Sequence, residues 1–187
     1  MIGVGDLRRG IVIELDGKLY SVLEYQHLKL GRGSAQVRLK LKDIKAGHTI
    51  ERTFQAGERF TRVRLDRRPV EFLYRDGDTL HFMDRETFEQ FEMNVEQLGE
   101  AVAYLKEGVQ LDLLTHDDVP ISVELPFTVD LKVIDTPPGF KGDTATGSGK
   151  SATLETGIVV QVPFFINVGD VVRIDTRDGS YIERVSG

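Results

Sequence analysis

Ile11-Val12-Ile13-Glu14-Leu15-Asp16-Gly17-Lys18-Leu19-Tyr20-Ser21-Val22 reads as two short alternating strands joined by an Asp-Gly link. Such a two-residue link suits a type I′ turn, because both of its central residues take positive φ. The same pattern recurs twice. Asp76-Gly77 separates Glu71-Phe72-Leu73-Tyr74 from Thr79-Leu80-His81-Phe82, and Asp178-Gly179 separates Val171-Val172-Arg173-Ile174 from Tyr181-Ile182-Glu183-Arg184. One hairpin in each third of the chain predicts an all-β protein built from three small units of about 60 residues, the size of the smallest domains that fold alone. Units this small bury little apolar surface each, so closed or nearly closed barrels with few free edges are the expected form.

Proline interrupts the strand pattern at Arg67-Arg68-Pro69 and at Leu125-Pro126-Phe127. The predicted units are therefore residues 1–65, 66–126 and 127–187. One helix is expected: Asn94 as N-cap, Gln97 completing a capping box, and Leu98, Ala101, Val102 and Leu105 as its apolar stripe. Asp84 to Met93 reads as a turn followed by a strand, although Phe88 and Phe91 also fit helical spacing.

Charge is segregated along the chain. Residues 1–64 carry 13 Lys and Arg against 7 Asp and Glu, whereas residues 65–126 carry 5 against 15. The overall net charge is −6. Because salt confines surface fields to roughly 8 Å, a partner touching the first unit meets a positive surface whatever the global sign. At the centre of that basic stretch lies Gly31-Arg32-Gly33, where the long hairpin formed by Tyr20–His27 and Val37–Lys42 should turn. Two glycines relieve backbone restriction around the arginine and let it approach a partner closely. A guanidinium stays charged and presents a flat fork of donors that matches phosphate oxygens or stacks on a base. Val37-Arg38-Leu39-Lys40-Leu41-Lys42 alternates strictly, so Arg38, Lys40 and Lys42 share the outward face. Arg32, Lys29, Gly31, Gly33, Arg38, Lys40 and Lys42 are thus the expected RNA-contacting set. A solvated turn and an ordinary polar strand face are the structural alternative. Phosphate-led contact fits this pattern better than base-specific reading.

Other chemistries lack their residues. There is no cysteine, which excludes disulfides and thiolate-bound zinc. His27, His48, His81 and His116 stand far apart with no metal-site spacing, so no metal and no cofactor is expected. Thr144-Ala145-Thr146-Gly147-Ser148-Gly149-Lys150-Ser151 comes close to a phosphate loop but lacks the first glycine, and a turn and strand follow it rather than a helix. Asp117-Asp118 reads as a solvated pair on a turn before Pro120, and no serine sits in a nucleophile-elbow context. An enzyme is not expected. The best apolar run, Ile158 to Ile166, is broken by Gln161 and Pro163, and the amino terminus has no signal-peptide pattern. The expectation is a cytoplasmic protein without membrane contact.

The last third carries a more specific signal. Lys150, Ala152, Gly157, Val162-Pro163 and Gly169 within the stretch Lys150–Gly169, together with Asp135-Thr136-Pro137-Pro138-Gly139, Gly142-Asp143-Thr144 and Ile174-Asp175-Thr176-Arg177 followed by Gly179 and Tyr181, resemble the elongation factor P family of bacterial translation factors. Leu41-Lys42-Asp43-Ile44, Gly47 and Glu51-Arg52-Thr53-Phe54 are similar to that family's pattern in the first third, so the resemblance spans the chain.

The resemblance implies an SH3-like, KOW-type first domain followed by two OB-folds, set in an L shaped like tRNA. It implies a monomer that binds both ribosomal subunits beside the peptidyl-site tRNA and promotes peptide bond formation where consecutive prolines stall synthesis. Arg32 is then the hairpin tip that reaches toward the CCA end of that tRNA. Many relatives carry an enzymatically extended lysine there, and some arginine-bearing relatives are rhamnosylated. The latter usually have Asn after the arginine where this chain has Gly33, so a modifying enzyme acting on Arg32 and an unmodified Arg32 both remain open. The loop containing Gly142, Asp143, Thr144, Gly147 and Lys150 resembles the segment that contacts the small subunit, and Arg177 and Tyr181 belong to the matching C-terminal motif. The alternative reading is a general RNA-binding or scaffold protein built from the same barrels.

Overall fold

The computed structural model describes residues 1–28, 31–33, 35–139 and 149–187. Its strands form three curled antiparallel sheets. The first contains β1 (Ile2–Gly3), β2 (Val12–Leu15), β3 (Lys18–Leu28), β4 (Gln36–Asp43), β5 (Thr49–Gln55) and β6 (Arg59–Val63), in the order β1-β6-β2-β3-β4-β5. The second contains β7 (Asp66–Asp76), β8 (Thr79–Asp84), β9 (Gln90–Asn94), β10 (Gln110–His116) and β11 (Val119–Glu124), ordered β11-β10-β7-β8-β9. The third contains β12 (Thr128–Asp135), β13 (Lys150–Leu154), β14 (Val159–Val162), β15 (Val171–Asp175) and β16 (Tyr181–Ser186), ordered β14-β13-β12-β15-β16. By packing, the chain falls into two compact units. One holds Met1–Arg68 with Asn94–Glu100 and Leu113–Val123, and the other holds Pro69–Met93, Ala101–Asp112 and Glu124–Gly187.

Alternation builds the first core. Val37, Leu39 and Leu41 of β4 are fully buried and pack with Ile13, Tyr20, Val22, Phe54 and Phe60, the last two meeting edge to face at 5.0 Å. Burying each aliphatic side chain contributes about 1.5–3 kcal/mol, which holds β4 in place between β3 and β5. Arg52, exposed beyond the core, reaches the β2–β3 turn through a 2.8 Å bond to Asp16 and lies over the Phe54 ring. The third sheet closes over Leu131, Val133, Leu154, Ile166, Val172 and Ile174, with Tyr104 and Val109 packed against them.

The three hairpins form, but only one turns as the Asp-Gly rule predicts. At Asp16-Gly17 both φ values are positive, +53° and +76°. Around Asp76-Gly77 the register pairs Asp76 with Thr79, so Gly77-Asp78 make the link and only Gly77 has positive φ. The third link is four residues long, Thr176 to Gly179, because Asp175 still pairs with Ser180. Asp117-Asp118, by contrast, forms a turn with both residues at positive φ and no glycine (+49° and +62°). Aspartate tolerates the left-handed region well enough for this.

Three of the longer turns share one device, one in each sheet. Asp43, Asp84 and Asp175 each donate their own N–H to the carbonyl five residues on, and accept at their own carbonyl from the N–H four residues on. The side chain then closes the loop: Asp43 Oδ1 accepts from Lys45 and Ala46, Asp84 Oδ1 from Glu86 and Thr87, and Asp175 Oδ1 from Arg177. The fourth residue after each aspartate sits at positive φ: Gly47 (+83°), Phe88 (+62°) and Gly179 (+77°). This turn is what resolves Asp84–Met93 as turn plus strand. The expected helix is cut short. Asn94 and Gln97 do form the reciprocal capping box, but α1 covers only Val95–Leu98 before the chain tightens into a 3-10 segment, Gly99–Tyr104. The break falls at Gly99, where φ is +56°.

Two outcomes follow from the turn device. Asp84→Ala and Asp43→Ala, each leaving two backbone N–H groups without their acceptor, should lower stability by about 1–3 kcal/mol in chemical denaturation; an unchanged midpoint would remove the carboxylate from the turn's support. Hydrogen bonds from the Arg177 side chain and backbone pull the Asp175 carboxyl down to about 2. Its folded value lies below the ordinary 3.8, so the contact's contribution is present above that pH and disappears as pH falls through 2. Titration of Asp175 followed by NMR should show this low midpoint, and Arg177→Ala should return it toward the ordinary value.

Candidate RNA-contacting hairpin

β3 and β4 pair as a ribbon from Tyr20↔Asp43 to Leu28↔Gln36 that runs past the end of β2, with β5 flanking β4 along its whole length to Gln36↔Gln55. β3 is the longest strand of the first sheet, eleven residues at ~3.3 Å each. Arg32 lies midway in sequence between the last paired residues, Leu28 and Gln36. Arg32 is exposed and forms no hydrogen bond or ion pair with any described residue, and Gly31 beside it has φ of +42°. Lys29 lies outside the described residues, and Gly33 is exposed.

Register decides what the cationic row can do. Directly paired residues share a face. Arg38 stands between Gln26 and Thr53, and Lys42 between Ser21 and Thr49, so neither faces an acid across the strands. Lys40 stands between Glu24 and Glu51, and its ammonium is 3.7 Å from Glu24. Of the three, Arg38 and Lys42 keep their charge available, while Lys40 is largely compensated where it stands. The strict alternation of β4 located all three side chains but could not show which neighbours would neutralise them.

One feature of the ribbon lay beyond the sequence pattern. A bulge at Leu23 interrupts the register between Val22↔Leu41 and Glu24↔Lys40. The extra residue switches β3 from even to odd positions facing inward. Tyr25 and His27 therefore share a face with Leu39 and Val37. Tyr25 packs against the core, whereas His27, further out, is exposed. The Tyr25 hydroxyl and His27 Nε2 are 2.6 Å apart, and the rings meet edge to face at 4.8 Å.

The expected C-terminal contacts fare differently. Gly142, Asp143, Thr144 and Gly147 lie outside the described residues. Lys150 is not presented to solvent: it is the first residue of β13, only 8 % exposed, and its ammonium donates to the Pro137 carbonyl. A lysine bonded in this way ties the two flanks of the intervening segment together. Backbones are also close there, since a Cβ on Gly139 would fall 2.2 Å from the Phe164 carbonyl oxygen and one on Gly149 2.4 Å from that of Val162. Arg177 is exposed but committed, hydrogen-bonded to both Asp175 oxygens and stacked over Phe127 at 5.4 Å. Those bonds raise its pKa above the ordinary arginine value. Tyr181 is half-buried against the third core. Among the described residues, no cluster of His, Cys, Asp and Glu could hold a metal, and no helix is long and apolar enough to cross a membrane.

Three family models match in sequence: the elongation factor P KOW-like domain over residues 3–60, the elongation factor P OB domain over 65–123, and the elongation factor P C-terminal domain over 129–184. The chain is 56 % identical to "Elongation factor P" of Carboxydothermus hydrogenoformans over 185 residues, covering 99 % of this chain and all of that one. It is 55 % identical to the protein of the same name from Moorella thermoacetica, over 98 % of this chain and all of that one. Among solved structures, "Eukaryotic translation initiation factor 5A from Methanococcus jannaschii" aligns with 64 % of this chain and 88 % of its own at 22 % identity, TM-score 0.48. The KOW-like and OB matches assign fold types to the curled sheets, and full-length identity above one half joins them in one lineage. The chain belongs to the elongation factor P family of translation elongation factors.

Proposed function

We propose that this elongation factor binds the ribosome beside the peptidyl-site tRNA, directs Arg32 toward the acceptor end of that tRNA, and promotes peptide bond formation where consecutive prolines stall synthesis. The observation that carries the reading is Arg32 itself: an exposed guanidinium, without a hydrogen bond or ion pair to any described residue, midway between the ends of β3 and β4. The division into domains 1–65, 66–126 and 127–187 belongs to the same reading and is supported by the three family matches.

The chemistry asked of such a factor is positional. Proline is a rigid and poor nucleophile in this setting, so the difficulty lies in holding the two reacting ends in a productive pose. Orientation of this kind lowers a barrier through entropy, without proton transfer or a covalent intermediate. A guanidinium fork on a paired ribbon suits the task, because the ladder behind it limits the motion of the arm and the fork can engage two acceptors at once. Arg38 and Lys42, uncompensated on the outward face, would meet backbone phosphates along the same approach. The acidic middle domain, residues 66–126 with net −10, would be repelled by RNA and so restrict which faces dock.

Two measurements test this. Arg32→Ala should reduce synthesis through a Pro-Pro-Pro sequence in a reconstituted translation system to near the level without factor, while leaving the thermal midpoint unchanged, since an exposed loop tip carries little stability. Undiminished synthesis would sink the proposed role of the tip. Ribosome binding measured against salt should flatten by about 0.7–0.9 in log–log slope for Arg38→Ala and for Lys42→Ala, and by clearly less for Lys40→Ala. Equal slopes in all three variants would mean that the row does not face phosphate.

A further inference from the structure

We propose that Tyr25 and His27, on the core-side face of the β3–β4 ribbon, form a stacking site for one unpaired RNA nucleotide; this rests on the RNA-contacting reading above. The two faces of the ribbon differ in kind. The outward face carries Arg38 between Gln26 and Thr53, and the opposite face at the same level carries Tyr25 and His27. The His27↔Val37 pair lies one step from the last pair before the Arg32 loop. A strand of RNA reaching Arg32 can set phosphate against one face and a base against the other.

The geometry of the pair is that of a prepared platform. Tyr25 is half-buried and packs against the first core. The rings stand at 86° with centroids 4.8 Å apart, which makes a corner with two walls. The 2.6 Å contact between the Tyr25 hydroxyl and His27 Nε2 holds the imidazole in place. With the hydroxyl donating to Nε2, neutral His27 carries its proton on Nδ1, which forms no hydrogen bond with any described residue and can donate to a base edge or a ribose 2′-hydroxyl. A histidine that merely stiffened the ribbon would gain most by burial, yet this one is exposed. Stacking on an aromatic ring tolerates any base because every base has a π face, and fixing the rings beforehand removes part of the ordering cost of binding. The bulge at Leu23 is what brings the two rings to this face. Without it, Glu24 and Gln26 would occupy their places.

Binding to the full-length protein of a single-stranded RNA hexanucleotide, and of the same hexanucleotide with abasic sites, tests the proposal. With the base-bearing RNA, the ring NMR signals of Tyr25 and His27 should move on titration, and His27→Ala should weaken binding about five- to tenfold. His27→Phe, which keeps a ring without the hydrogen bond, should restore most of that loss, and Tyr25→Phe should cost about two- to threefold. The abasic RNA should bind the wild type and all three variants alike. Arg32→Ala should weaken both RNAs by the same factor, leaving their ratio intact. If base-bearing and abasic RNAs bind equally and the ring signals stay put, while Arg32→Ala still weakens both, stacking is refuted and the RNA-contacting reading stands. If neither RNA binds at low salt, both are refuted.

Discussion

The β3–β4 ladder is the constraint on which the rest depends. Its register, from Tyr20↔Asp43 to Leu28↔Gln36, fixes three things together: which residues fill the first core, which charges face outward, and where the arm ends. A one-residue slip would exchange the two faces of β4, sending Arg38, Lys40 and Lys42 inward and Leu39 outward. Core burial therefore specifies the placement of the outward cations. Val37, Leu39 and Leu41 are completely buried, so the alternating cations have only one place to go.

The same ladder tolerates one irregularity, and it has a consequence. At Leu23 the strand gives up one regular pairing step and exchanges which of its side chains face the core. Polar Glu24 and Gln26 then join the cationic face, and aromatic Tyr25 and His27 join the opposite one. Compensation along the row is correspondingly uneven. Glu24 and Glu51 flank Lys40, while Arg38 and Lys42 have uncharged neighbours. The cationic surface is therefore two separated sites plus a tip rather than a continuous stripe.

Away from the ribbon, a recurrent aspartate turn closes a hairpin in each sheet, and the charges near it are mostly spent on structure. Asp43 and Asp84 are nearly buried, with their carboxylates on backbone N–H groups, and Asp175 holds Arg177 by two bonds. Lys150 is committed in the same way to the Pro137 carbonyl. Charged residues in a motif are thus not equivalent. Those whose partners are on the chain hold its shape, and those such as Arg38 and Lys42, with uncharged neighbours across the strands, keep their charge toward solvent.

Much of this was legible in the residues. Local rules suffice where the cause is local: the positive-φ Asp16-Gly17 turn, the Asn94–Gln97 capping box, the strict alternation of β4, and a tip centred on Arg32 all depend on neighbours within a few positions. Tertiary structure decided whatever depends on distant partners. The link after Asp76 moved by one residue and that before Tyr181 lengthened, because pairing across the strands outweighs the preference of an Asp-Gly dipeptide. The helix after Asn94 stopped at Gly99. Lys40 met Glu24 and Glu51, Lys150 met Pro137, and Tyr25 and His27 took the core-side face because of a bulge before them that leaves no mark in composition. Sequence by itself determined which residues could carry charge to a surface; only the folded register determined which of those charges were left without a partner, because compensation depends on spacing across strands and not along them.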